Sequence, residues 1–127
     1  MTQALLGFKE MCARFDVTPR TLRYYEYIEL LRPARDGRNR VYGPREVARM
    51  TLILRGRRFG FSLEEIRQWL ELYETQDTTQ QLKAFLAMAD RQLEALATQR
   101  AELDGSIAEL QELRVQAAAL LDTGAAD

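Results

Sequence analysis

Apolar residues recur along this chain in several distinct rhythms. Phe8, Met11, Cys12 and Phe15 stand at three- and four-residue spacings, which predicts a short helix over residues 8–15 behind Gly7, a permissive N-cap. Asp16-Val17 then reads as a turn. Thr18-Pro19 reads as a second helix start, with Thr18 at the cap and Pro19 at the first helical position. Val17 and Leu22 are the expected core contacts of that helix, and Cys12 is expected to face the core as a small hydrophobe. Two helices joined by so short a turn predict a helix-turn-helix.

Over residues 32–43 the rhythm stops. Asp36-Gly37 marks a hairpin turn, and Arg32, Arg35, Arg38 and Arg40 flank it, giving a small hairpin with a cationic tip. Pro44 opens a further helix with an apolar stripe at Val47, Met50, Thr51 and Leu54; it ends near Arg57-Arg58-Phe59-Gly60. Ser62 and Glu65 form a capping box for a helix running from Leu63 to about Tyr73, with Ile66, Trp69 and Leu70 on one face. Gln76-Asp77-Thr78-Thr79 is a polar break.

The last rhythm is heptad. Steps of four and three visit Leu82, Leu86, Ala89, Leu93, Leu96, Arg100, Leu103, Ile107, Leu110, Arg114, Ala117 and Leu121, and ten of these twelve positions are apolar. Phe85, Leu113 and Leu120 widen the stripe, and Gly105 falls on the outer face. A repeat this long predicts a coiled coil, and a helix of roughly 60 Å needs a partner longer than the small head can provide. A homodimer is expected. Arg100, with Asp104 as a candidate partner, either fixes the register of the seam or reaches out to water. The organisation read from the chain is a head over residues 5–75, a dimerisation helix over 78–122 and a disordered tail over 123–127.

Charge sharpens this picture. The net charge is −1, yet residues 1–61 hold 13 Lys+Arg against 6 Asp+Glu, and residues 62–127 hold 5 against 13. A basic head and an acidic remainder point to nucleic acid. Arg20, Arg23, Tyr24 and Tyr25 hang from about two turns of the Thr18 helix as phosphate and base-edge ligands. The plainer reading is a basic amphipathic helix with its tyrosines in a core. Tyr42 is expected to pack its ring under the hairpin and keep its hydroxyl exposed for a phosphate. Arg55, Arg57 and Arg58 either form a second patch for flanking phosphates or complement the helix dipole.

The chain holds one cysteine and no histidine, which excludes a disulfide framework and a Cys/His zinc site within the chain. With no catalytic set and no glycine-rich phosphate loop, no enzyme, metal or cofactor is expected. No stretch suits a membrane span or a signal peptide, so a cytoplasmic protein is expected.

In the order of its parts the chain resembles the MerR family of bacterial transcription regulators. The likeness rests on Phe8–Phe15, on Leu-Arg-Tyr-Tyr-Glu within Thr18–Glu26, on Asn39-Arg40-Val41-Tyr42, on Gly-Phe-Ser-Leu-Glu-Glu-Ile at 60–66 and on the terminal heptads. It implies a mainly α fold: a winged helix-turn-helix head, a second helical pair, and a long C-terminal dimerisation helix forming an antiparallel coiled coil. It also implies a dimer on a pseudo-palindromic promoter that bends and untwists double-stranded DNA, with RNA polymerase as a further partner. Carried onto this sequence, Arg20, Thr21, Arg23 and Tyr24 are the recognition contacts. Thr18 stands at the head of the same helix, Tyr25 lies near the backbone, and Arg38, Arg40 and Tyr42 serve the wing. Metal- and redox-sensing members carry cysteines near the end of the long helix, and here Leu-Asp-Thr-Gly-Ala-Ala-Asp follows instead, so sensing of that type is not expected. The short, cysteine-poor form is similar to regulators of branched-chain amino acid and fatty acid breakdown such as the LiuR group, and no residue identifies an effector. An excisionase-like architectural factor and a coiled-coil adaptor are the alternative functions.

Overall fold

A computed structural model describes residues 5–72, 74 and 79–124. Five helices and one hairpin follow in the order α1 (Phe8–Phe15), α2 (Pro19–Tyr27), β1 (Ala34–Asp36), β2 (Asn39–Val41), α3 (Pro44–Phe59), α4 (Leu63–Leu72) and α5 (Thr79–Asp122). The end of the Leu63 helix at Tyr73, residues 76–78 of the polar break and most of the expected tail lie outside the described residues. Two compact units divide the chain, one up to Leu86 and one from Ala87 onward.

Local chemistry explains each boundary in the head. The Gly7 N–H donates to Glu10 Oε1 at 3.0 Å, so a side chain three residues on takes up a donor that the start of α1 leaves unpaired. Asp16 ends α1 in the left-handed region at φ 52, a conformation its short polar side chain tolerates. Thr18 Oγ1 accepts the Thr21 N–H at 3.1 Å and caps α2, with Pro19 behind it. The Ser62–Glu65 capping box forms in both directions, at 2.8 and 3.1 Å.

The hairpin is antiparallel, pairing Ala34 with Val41, Arg35 with Arg40 and Asp36 with Asn39. Its turn is Gly37-Arg38, and Gly37 at φ 66 supplies the positive φ that a tight hairpin needs at its first central position. Leu6 and Tyr42 exchange backbone hydrogen bonds at 2.9 and 2.7 Å, which ties the base of the wing to the segment leading into α1.

Met11, Leu22, Tyr25, Leu30, Leu31, Tyr42, Met50, Ile53, Ile66, Trp69 and Leu70 make the buried core of the head. The stripe expected on α3 is displaced. Glu46, Met50, Ile53 and Gly56 are its buried residues, whereas Thr51 is exposed and its hydroxyl donates back to the Val47 carbonyl. Gly56 is the reason α3 and α4 approach so closely: a Cβ placed there would lie 2.6 Å from Ile66 Cγ1. Trp69 stacks on Phe85 with ring centroids 5.9 Å apart.

The helix α5 runs 44 residues without a break, about 66 Å at the usual rise. Its heptad leucines are bare in the single chain. Leu93, Leu103, Leu110 and Leu121 are each more than 60 % exposed, and Leu82, Leu86, Leu96 and Ile107 are also classed as exposed. Among the described residues no helix is long and apolar enough to cross a membrane.

Candidate nucleic-acid interface

Helix α2 is anchored at both ends. Thr18 caps its start. At its end, Arg67 Nη2 from α4 donates to the Ile28 carbonyl at 2.5 Å and Arg49 Nε from α3 donates to the Leu30 carbonyl at 2.9 Å. Between them Glu29 takes a left-handed φ of 64. Arg67 thus pairs the carbonyl of the C-cap residue Ile28, Arg49 pairs that of Leu30 in the segment beyond the helix, and their charge suits the negative end of its dipole. Helices α3 and α4 therefore tie down the segment that follows α2.

The sequence-predicted residues divide into two groups. Arg20, Arg23 and Tyr24 project from α2, with Tyr24 49 % exposed. Together with Thr21, Tyr27 and Arg57 from α3 they line one open depression of about 550 Å³. Among the described residues, Arg20, Arg23, Arg38, Arg57 and Arg58 enter no ion pair, so their charge is available to an anion. Arg57 joins the recognition helix although more than 30 positions separate them; Arg58 is exposed and does not line that depression. Arg38 stands exposed at the wing turn. Thr18 is exposed, but its hydroxyl accepts the Thr21 N–H and donates to Thr21 Oγ1 at 2.9 Å, which commits it to the cap.

The second group is corrected by the structure. Tyr42 is fully buried, hydroxyl included, and that hydroxyl donates to Glu26 Oε2 rather than reaching a phosphate. Burial, and then the Glu26 carboxylate beside it, push its phenol far above the usual range. Arg40 is spent as well: its Nε donates to Glu26 Oε1 at 2.7 Å, and its guanidinium sits over the Phe8 ring at 5.0 Å. Tyr25 is 6 % exposed and belongs to the core, three positions after Leu22 on the same buried face of the helix, while Tyr24, about 100° away, points out. Tyr25 still lines part of the depression.

Several residues of consequence were invisible to sequence reasoning. Glu26 belongs to the Leu-Arg-Tyr-Tyr-Glu motif but carries no role there; its partners Arg40 and Tyr42 lie 14 and 16 positions away, so no local spacing marks it. Glu46 is buried at the start of α3, where its carboxylate accepts the Arg32 backbone N–H at 2.9 Å and Arg45 Nη1 at 2.6 Å, fastening the entry to the wing. Tyr27 is 84 % exposed beside the cationic depression and carried no signal beyond its proximity to Tyr24 and Tyr25. Cys12 is half-buried, and burial raises its thiol pKa. Among the described residues no group of three or more His, Cys, Asp or Glu side chains is placed to hold a metal ion.

Comparison with known proteins agrees with this geometry. The model of the MerR HTH family regulatory protein matches residues 8–72, and that described as MerR, DNA binding matches residues 47–116. The HTH-type transcriptional regulator HmrR of Rhizobium leguminosarum bv. viciae is 40 % identical over 110 residues, covering 86 % of this chain and 78 % of its own. Among solved structures, a MerR-family transcriptional regulator from Bacillus cereus superposes with a TM-score of 0.69 at 26 % identity, over 86 % of this chain and 79 % of that one. HiNmlR, a MerR family regulator lacking the sensor domain and bound to promoter DNA, has the same fold, with a TM-score of 0.65 at 23 % identity over 82 % of this chain and 79 % of its own. A wing beside a capped recognition helix, a second helical pair and these matches lead to one conclusion: the chain belongs to the MerR family and is a DNA-binding transcription regulator.

Proposed function

We propose that the chain acts as a homodimer that reads a pseudo-palindromic promoter site in the cytoplasm and bends and untwists the DNA there. One observation carries this reading: Arg20, Arg23 and Arg57, which enter no ion pair among the described residues, line one depression with Tyr24 on an anchored helix. Arginine forks suit guanine edges and phosphates, and a helix held at both ends loses little freedom when it docks. Residues 5–75 are the reading head and residues 78–122 the dimerisation helix. The exposed leucines of α5 support pairing, because a helix with a bare apolar stripe is not stable alone in water. The long helix would set the spacing of two heads near one helical turn of DNA or a multiple of it, ~34 Å for one turn.

Distorting the DNA costs several kcal/mol, which contacts from two coupled heads offset. A promoter reshaped in this way offers RNA polymerase a better substrate, which makes the polymerase the expected partner in activation. The test is selection of duplexes from random-sequence DNA by the full chain, with sedimentation of the resulting complex. A two-fold-related motif bound by two chains supports the reading. Enrichment without a motif marks a sequence-neutral architectural binder, and a single chain on a single half-site removes the dimer.

A further inference from the structure

Phe8 lies on α1, outside the recognition helix, yet two guanidinium groups converge on its ring. Arg23 of α2 stands over it at 5.2 Å from the centroid and Arg40 of the wing at 5.0 Å. The two cations differ in one respect. Arg40 is neutralised by Glu26 at 2.7 Å, whereas Arg23 has no carboxylate partner among the described residues. Glu26 is fully engaged, since its other oxygen accepts the buried Tyr42 hydroxyl. Arg23 is therefore held by a ring and not by a counter-charge.

We propose that Phe8 is a positioning residue for DNA reading, one that orients Arg23 without neutralising it. The proposal rests on the reading of Arg23 as a groove contact. An arginine restrained by a carboxylate would have to break that pair before engaging a base or phosphate. An arginine over an aromatic face keeps its whole charge, and no counter-ion has to be displaced before its N–H donors engage DNA. Restraining a long side chain before contact lowers the ordering cost of binding. Because Arg40 shares the ring, the wing and the recognition helix are referenced to the same point on α1. An aliphatic residue at position 8 would fill similar space and lack the negative ring face.

The test replaces Phe8 in the full chain by phenylalanines of increasing fluorination, which weaken the ring's negative face while keeping its shape. Affinity is measured for a duplex that the unmodified protein selects from random-sequence DNA. The expected result is a stepwise loss reaching about two- to fivefold, matched by Phe8→Leu and restored by Phe8→Trp. In an Arg23→Ala background the same series should be flat. Unchanged affinity across the series overturns the proposal, as does an equal loss with and without Arg23; both leave DNA reading itself intact. Failure of the unmodified protein to select any sequence overturns the reading of Arg23, and this proposal with it.

Discussion

Tyr42, at the base of the wing, is fully buried and donates its hydroxyl proton to the part-buried Glu26 of α2. Arg40, two positions earlier on β2, completes the arrangement. The wing is thus bolted to the reading helix through one carboxylate, and two residues that sequence alone assigned to DNA hold the two parts together.

Removing that bolt should be visible in stability. Tyr42→Phe takes a hydrogen bond from a charged, part-buried acceptor and is expected to cost about 1.5–3 kcal/mol in chemical denaturation. The effect should also depend on pH. The folded state raises the Tyr42 pKa, so its contribution is complete below the unfolded tyrosine value near ~10 and falls as pH rises beyond it. Wild-type stability should fall through this alkaline range more steeply than that of Tyr42→Phe. Parallel curves would show that the hydroxyl is not shielded as described.

The two wing arginines should behave differently. Arg38, exposed and without an ion pair, is expected to act as a phosphate contact; Arg38→Ala should weaken binding to all sequences alike and reduce the salt slope by about 1. Arg40→Ala should instead lower thermal stability, since it leaves Glu26 with half its partners. Titrations at several salt concentrations, paired with melting curves, separate the two.

Gly56 makes a packing prediction. With a Cβ 2.6 Å from Ile66 Cγ1 and 3.0 Å from its Cδ1, Gly56→Ala forces the fully buried Ile66 to shift, which strains the packing of α4 on α3. Overpacking of this kind costs about 1–3 kcal/mol. Because α3 and α4 carry Arg49 and Arg67, which anchor the end of α2, DNA affinity should fall along with the melting temperature. A variant as stable as wild type would show that the two helices have slack.

The seam of α5 is tested by Leu96→Asp. A carboxylate in the middle of the heptad stripe should give monomers or unfolded chains in sedimentation at concentrations where the wild type pairs. A stable folded dimer from this variant would move the interface off the stripe.

What the sequence disclosed followed from local chemistry. The turn at Asp16, the Thr18 and Ser62 caps, the Asp36-Gly37 hairpin and the Gly60 stop each depend on a few neighbouring residues, and each formed as expected. The errors came from contacts between distant segments. Whether Arg40 meets a phosphate or Glu26 depends on how the hairpin lies on α2, and no spacing rule carries that. Thr51 keeps the helical spacing of the α3 stripe but is exposed, and Glu46 is buried instead; Arg32 and Arg45 make that burial tolerable, one of them 14 positions away. Among the candidate contacts, exposed arginines on the helix were legible from type and spacing. Which tyrosine of the Tyr24-Tyr25 pair turned inward was decided by the packing of the head.

The central claim is that the Thr18 helix reads DNA through Arg23. Its most direct test compares Arg23→Ala with wild type on a selected duplex and on random-sequence DNA at one salt concentration. The expected result is a loss of about 1–3 kcal/mol on the selected duplex and a much smaller loss on random DNA, so that the ratio between them shrinks. Equal affinity of the two proteins for the selected duplex would contradict the account.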